Sequence, residues 1–277
     1  MMLQNEWQRR IRRAEKLGAE FSFAAEILRF YAAVARFQEK LYAELGPLSD
    51  KRQNQSNATS RVAATTPFAQ PLPAELFGRF GTFLSVVEQN GPSLLVEAAR
   101  VLRGEGKDSH TEWLTVFWER SEARAPRTGT DDFFARAFLQ PYAALVRSTS
   151  NVRSSGPTPC LCPFCQRKPG LGVLRPLGDG GQRSLVCSFC LAEWEFRRIV
   201  CPGCGEENHS KLPVYAAEEL SHVRVEGCDS CRTYVKTVDM TKSGLAEPVV
   251  DEIASIPLDL WAEGQGYRKL QTNLMQL

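Results

Sequence analysis

Four Cys-x-x-Cys pairs lie within seventy residues of one another, at Cys162/Cys165, Cys187/Cys190, Cys201/Cys204 and Cys228/Cys231. No other feature of this 277-residue chain constrains its folding as strongly. A Cys-x-x-Cys turn points two sulfurs to one side and aims its free backbone N–H groups at them. Two such turns brought together make a tetrahedron of four thiolates, a shell that suits Zn²⁺ or a single iron of the rubredoxin type. Disulfides are rare in reducing compartments, so clustered cysteines there favour metal or redox chemistry. Such a shell leaves no open coordination position, so it is structural or electron-transferring rather than hydrolytic.

The pairing follows from the intervening lengths. Twenty-one residues separate Cys165 from Cys187, ten separate Cys190 from Cys201, and twenty-three separate Cys204 from Cys228. The two longer segments can hold a β-hairpin that returns the chain to its first hook. Sequential pairing therefore gives one site from Cys162, Cys165, Cys187 and Cys190 and a second from Cys201, Cys204, Cys228 and Cys231. An internal repeat supports it: the first hooks are offset by 39 residues and the second hooks by 41. Each copy opens Cys-Pro-x-Cys, places an arginine (Arg183, Arg224) four residues before its third cysteine, and an aromatic (Trp194, Tyr234) after its fourth. Gly205 follows Cys204 and allows a positive φ there, whereas the first copy has the less suited Gln166. Cys160 reads as a spare thiol.

The rest of the chain divides around this block. Residues 1–150 read as an all-helical domain. "MMLQNEWQRRIRRAEKLGAE" is an amphipathic helix with arginine pairs at Arg9–Arg10 and Arg12–Arg13, and no apolar stretch follows them as in an export signal. A stripe through Ile27, Tyr31, Val34, Leu41 and Leu45 predicts a second helix, ended by Pro47. Residues 48–72 read as a long loop, Gly91–Pro92 as a break between two helices, and "STSNVRSSGPTP" (148–159) as a linker. Short β-type runs then alternate with the hooks: "GVLRPL", "RSLVC", "EWEFRRIV", "LPVYAA", "HVRVEG" and "TYVKTVD". From about residue 249 "VVDEIASIPLDLWAEGQGY" returns to helix. The expected fold class is α+β: a helical domain (1–150), a first four-cysteine ribbon (158–200), a second (201–248) and a C-terminal helical segment (249–277).

Composition excludes several functions. Net charge is +2, and residues 160–232 carry nine Lys/Arg against nine Asp/Glu, so the ribbons lack the basic excess of a nucleic-acid face. No apolar run is long enough to span a bilayer. Of three histidines, His110, His209 and His222, none accompanies a nucleophile motif; His209 reads as a loop residue and His222 as a strand-surface residue. There is no P-loop or dinucleotide fingerprint, no catalytic residue is assigned, and an enzyme is not expected. The readings left by the residues alone are a zinc-ribbon nucleic-acid or protein-interaction module and a rubredoxin-like electron carrier.

The segments "CPFC", "CSFCLAEWEFRRIVCPGCG", "HVRVEGCDSCRTYVKTVD" and "DEIASIPLDLWAEGQGY", with "ILRFYAAVARFQ" near the start, resemble the formate dehydrogenase accessory protein family, FdhE-like. The resemblance implies a cytoplasmic maturation factor that binds the catalytic subunit of a formate dehydrogenase. It also implies two rubredoxin-like sites, with iron favoured over zinc, whose ligands are the eight hook cysteines.

Overall fold

The computed structural model describes residues 2–56, 68, 70–119, 130–150 and 160–276. The fold is α+β. Among the described residues seven α-helices come first: α1 (Met2–Glu20), α2 (Ala25–Ser56), α3 (Ala74–Phe77), α4 (Phe80–Asn90), α5 (Ser93–Gly104), α6 (Lys107–Glu119) and α7 (Thr130–Ser148). Trp7, Ile11, Ala14 and Leu17 recur at helical spacing along α1 and are buried. Leu28, Tyr31, Val34, Ala35, Leu41 and Leu45 form the matching stripe of α2. The bundle's centre is aromatic, with Phe80, Phe83, Phe133, Phe134 and Phe138 all buried and in ring contact. Ring pairs of this kind add to area burial through their edge-to-face electrostatics.

Two expectations need correction here. Pro47 does not end α2, which runs on to Ser56, so residues 48–56 are helix rather than loop. A proline removes one donor and crowds one carbonyl; α2 is already held by packing on α1, α4 and α7, and that local loss does not stop it. The remaining part of the expected loop at 57–67, and the expected linker at 151–159, lie outside the described residues. The break at Gly91–Pro92 is present: Gly91 ends α4, and Pro92 stands at the N-cap of α5 with its missing donor harmless.

The cysteine-rich half forms one sheet. Its strands are β1 (Pro169–Leu177), β2 (Gly180–Cys187), β3 (Glu193–Glu195), β4 (Val214–Ala216), β5 (Val223–Cys228), β6 (Thr233–Asp239) and β7 (Arg268–Lys269). The order is β3-β2-β1-β6-β5-β4, with β7 beside β6. The internal repeat explains that order. In each copy two strands lie between the hooks and one follows the second hook, so β3-β2-β1 and β6-β5-β4 are the same antiparallel unit laid head to tail. The predicted strand in "EWEFRRIV" is shorter than expected. The regular strand covers only Glu193–Glu195; Phe196 N–H still donates to Arg183 O at 3.0 Å, and beyond it the Arg183 side chain turns the chain by binding the Arg197 carbonyl at 2.8 Å.

The seam is the parallel pairing of β1 with β6, where Gly172 faces Thr237. A Cβ on Gly172 would lie 2.3 Å from Thr237 Oγ1, so only glycine allows this approach. Arg183 of β2, almost fully buried, also spans the two copies: it donates to Glu226 of β5 at 2.6 Å, and Arg224 donates to the other oxygen of the same carboxylate at 2.6 Å. Thus the two repeated arginines, equivalent in sequence, converge on one acid. Burial alone would raise the Glu226 pKa, but the two guanidiniums hold it below the usual carboxylate range.

Helices α8 (Pro248–Ala254) and α9 (Ile256–Gly264) return over the sheet, α8 against α1 and β6, α9 against β5. They are anchored by a buried network. Lys236 of β6 reaches Asp259 at 2.5 Å and Glu252 at 3.2 Å, and Lys269 of β7 reaches the same two acids. Tyr234 donates to Asp259 at 2.7 Å, and Asn273 to Glu252 at 2.8 Å. Two cations and two anions balance, which removal of either partner would undo at about 3–5 kcal/mol.

Gly172→Ala should lower stability by about 1–3 kcal/mol through overpacking at the seam. Thr237 Oγ1 is buried without a hydrogen-bond partner among the described residues. Thr237→Ala should therefore be close to neutral alone and should recover most of the loss in the double variant. Denaturant titration of the four-member cycle measures this coupling; strict additivity would show that the seam does not transmit the strain.

Candidate metal centres

Each hook is built the same way. The residue after its second cysteine has a positive φ: Gln166 (58°), Leu191 (57°), Gly205 (79°) and Arg232 (56°). Gln166 thus takes the turn that its side chain disfavours, and so do Leu191 and Arg232, which the sequence did not signal. The turn closes through backbone bonds. Gln166 N–H donates to Cys162 O at 2.9 Å, Gly205 N–H to Cys201 O at 3.0 Å, and Arg232 N–H to Cys228 O at 2.8 Å. Free amides then face sulfur: Phe189 N lies 3.4 Å from Cys187 Sγ, and Gly203 N lies 3.3 Å from Cys201 Sγ.

The hooks meet in sequential pairs. Cys162, Cys165, Cys187 and Cys190 form one group and Cys201, Cys204, Cys228 and Cys231 the other, with all sulfurs in each within 4.8 Å of one another. Cross-hook contacts are 3.5 Å (Cys162–Cys190), 3.4 Å (Cys165–Cys187), 3.7 Å (Cys201–Cys231) and 3.7 Å (Cys204–Cys228). A tetrahedron with metal–sulfur bonds of about 2.3 Å has edges of about 3.8 Å. Both groups are close to that size, and each could hold one metal ion. Cys160 is half-buried and belongs to neither group.

The sites differ in surroundings. The first is sealed: Cys162 and Cys190 are 0 % exposed, Cys187 1 % and Cys165 8 %. Phe189, inside the second hook, packs edge-on against Phe117 at 5.5 Å and Trp118 at 6.0 Å of α6. Arg167 lies over both the Phe117 and Phe189 rings, 4.2 and 4.1 Å from their centroids, and donates to the Phe117 carbonyl at 2.6 Å. Its burial lowers its pKa, while Cys165 and Cys187 act to raise it. Arg167 therefore places a fixed positive charge beside the sulfurs and ties the site to the helical region. Burial pushes the thiols of Cys165 and Cys190 well up. Burial would do the same to Cys187, but hydrogen bonds from its three sulfur neighbours and from Phe189 N–H hold it well down. A bound cation would favour the ionised form of the clustered sulfurs.

The second site is open. Cys201 and Cys228 are buried, Cys231 is half-buried and Cys204 is exposed. Burial raises Cys201 and Cys228. Cys231 is lowered to about 7, because hydrogen bonds from the Thr233 hydroxyl (3.0 Å) and backbone outweigh its burial. The rim carries acids paired with bases: Glu206 accepts from Ser230 at 2.5 Å with Lys211 3.7 Å away, and Asp229 accepts from Tyr267 at 2.5 Å and from Arg232 at 3.1 Å.

The histidines stand apart from both sites. His209 is exposed in a short 3-10 turn. His222 is not a plain surface residue: its Nε2 lies 2.7 Å from Asp251 Oδ1, half-buried between the turn before β5 and α8. The sequence missed this because the partner is 29 residues away. It likewise missed Arg167 and Glu226, whose roles depend on residues of other elements.

An all-helical region joined to a pair of fused four-cysteine ribbons defines a class of protein, and comparison shows which proteins the chain resembles. The FdhE central-domain model matches residues 161–198 and the FdhE C-terminal-domain model residues 199–276, their border falling between the second and third hooks. A protein FdhE homolog of Aquifex aeolicus is 29 % identical across 98 % of this chain and 96 % of its own length. One from Pseudomonas putida is 27 % identical across 98 % and 87 %. One from Haemophilus influenzae is 34 % identical across 48 % and 41 %. The crystal structure of the FdhE protein from Pseudomonas aeruginosa shares the fold, with a TM-score of 0.68 and 23 % identity over 99 % of this chain and 96 % of that one. Residues 161–276 thus match the FdhE central and C-terminal domains, and the chain as a whole is similar to FdhE proteins.

Metal release should be biphasic. On addition of a chromogenic chelator to metal-loaded protein, the open second site should empty first. The first should follow only on partial unfolding, as burial by α6 predicts. Metal release in one phase would show that the difference in burial does not control access.

Proposed function

We propose that this chain is a non-enzymatic maturation factor that binds the catalytic subunit of a formate dehydrogenase in the cytoplasm and is needed for its activity. Its eight hook cysteines ligate two metal ions, iron in preference to zinc, one per group. The observation that carries the non-enzymatic reading is the closure of both groups: four sulfurs in mutual contact occupy all positions of a tetrahedral ion and leave none for water or substrate. The client and the preference for iron rest on similarity to FdhE proteins and on the resemblance of the hook segments. The division into a helical domain (1–150), ribbons (158–200 and 201–248) and a C-terminal segment (249–277) is part of the same proposal. Among the described residues no helix is long and apolar enough to cross a membrane.

A second reading, electron transfer to the client, is favoured by the exposure of Cys204, since a carrier needs one ligand close to the surface. The nucleic-acid reading gains no support from the even balance of acids and bases across residues 160–232. Metals staple ribbons that are too small for a large core, so their binding energy becomes folding energy.

Anaerobic pull-down of tagged protein from its own cells, followed by mass spectrometry, should recover a formate dehydrogenase catalytic subunit; its absence, with ribosomal or transcription proteins in its place, would refute the client. Cys187→Ser and Cys201→Ser should each lose about one metal per chain by elemental analysis, from different sites. Loss of both metals from either variant, with the fold intact, would contradict the ligand assignment. Full function of the zinc-loaded protein would eliminate electron transfer.

A further inference from the structure

The arginine pairs of α1 take no part in the metal centres, and the structure gives them another setting. Arg9, Arg12, Arg13 and Lys16 line one side of a cleft of about 460 Å³, and Arg175 of β1 adds a fifth cation. The other side is residues 240 and 244–248, where Leu245 is 78 % exposed. Three of the cations are already held. Arg9 donates to Glu247 at 2.5 Å, Arg13 is bidentate on Asp251 at 2.5 and 3.0 Å, and Arg175 is bidentate on Glu193 at 2.7 Å twice. Asp251 also takes His222 and the Glu247 N–H, so it has nothing left for a further cation. Arg12 and Lys16 are exposed and make no ion pair among the described residues.

We propose that this cleft binds an extended, acidic and apolar segment of a protein partner. With Arg9, Arg13 and Arg175 neutralised by Glu247, Asp251 and Glu193, the two remaining cations, Arg12 and Lys16, leave the cleft positive and select an anion. The two bidentate forks that a compact phosphate would seek are filled by the protein's own acids. What remains are two separate positive charges one helical turn apart on the same face of α1, about 5–6 Å between their Cβ atoms. Carboxylates two residues apart on an extended chain, roughly 7 Å, match that spacing. The intervening side chains of such a chain point the opposite way, toward Leu245, Met240 and Pro248. An exposed leucine beside unpaired cations is thus one continuous recognition surface. It is independent of both metal groups and of the identity of the client.

The test is fluorescence anisotropy with a labelled heptapeptide of alternating glutamate and leucine, on the full metal-loaded chain. Binding is expected at low salt, weakening as salt is added. Arg12→Glu/Lys16→Glu should weaken it about tenfold and Leu245→Ser about threefold, whereas Arg100→Glu, an exposed charge on α5 outside the cleft, should leave it unchanged. Unchanged thermal melting of each variant confirms the fold. No binding of the peptide, equal binding of a lysine–leucine peptide, equal loss in Arg100→Glu, or no effect of Leu245→Ser would each overturn the proposal. Displacement of the peptide by equimolar inorganic phosphate or duplex DNA would also overturn it, in favour of a phosphate-bearing ligand.

Discussion

Four sulfurs held in contact set the terms for this structure. Thiolates so close repel one another, and in the sealed first group they also lose hydration, a balance that a bound cation reverses. The hooks prepare the site in advance: each takes a left-handed residue after its second cysteine, even where that residue is Gln166, Leu191 or Arg232. Strain of this kind persists only when the surroundings over-determine the turn. Here they do so through the turn's own backbone bonds and through N–H groups aimed at sulfur.

The two ribbons then become one body by means that do not involve sulfur. Equivalent three-stranded units join head to tail through β1 and β6, and the join requires Gly172 opposite Thr237. Glu226 collects the repeat's two arginines, and the Lys236–Glu252–Asp259–Lys269 network fastens the C-terminal helices beneath the sheet. A duplicated module has no reason to preserve symmetry once its copies touch. The first site packs into the same apolar core as the bundle, while the second, attached to a separate small core around Val225 and Tyr234, keeps a ligand at the surface. Burial thus divides the two groups into one sealed from water and one with a cysteine at the surface.

Much of this was legible in the chain. Cysteine spacing and the offsets of 39 and 41 residues separate the eight thiols into two groups, because only a segment long enough to form a hairpin can return one hook to another. Helical periodicity in α1 and α2 and the stop at Gly91–Pro92 are local, and local steric rules decide them. Pro47 was misleading for the complementary reason: a local rule was outweighed by packing along the rest of α2.

The sequence by itself determined the composition of the two sulfur groups, the helical and β halves, and the absence of a strong net charge. Only the tertiary structure decided that both ribbons share one sheet, that Arg167 lies over both Phe117 and Phe189, that Arg183 and Arg224 meet at Glu226, and that Arg12 and Lys16 make no ion pair among the described residues in the cleft that Leu245 also lines. The reason is physical. Metal-site geometry is encoded in spacings of a few residues, whereas burial and charge pairing depend on which distant side chains the fold brings within a few ångströms.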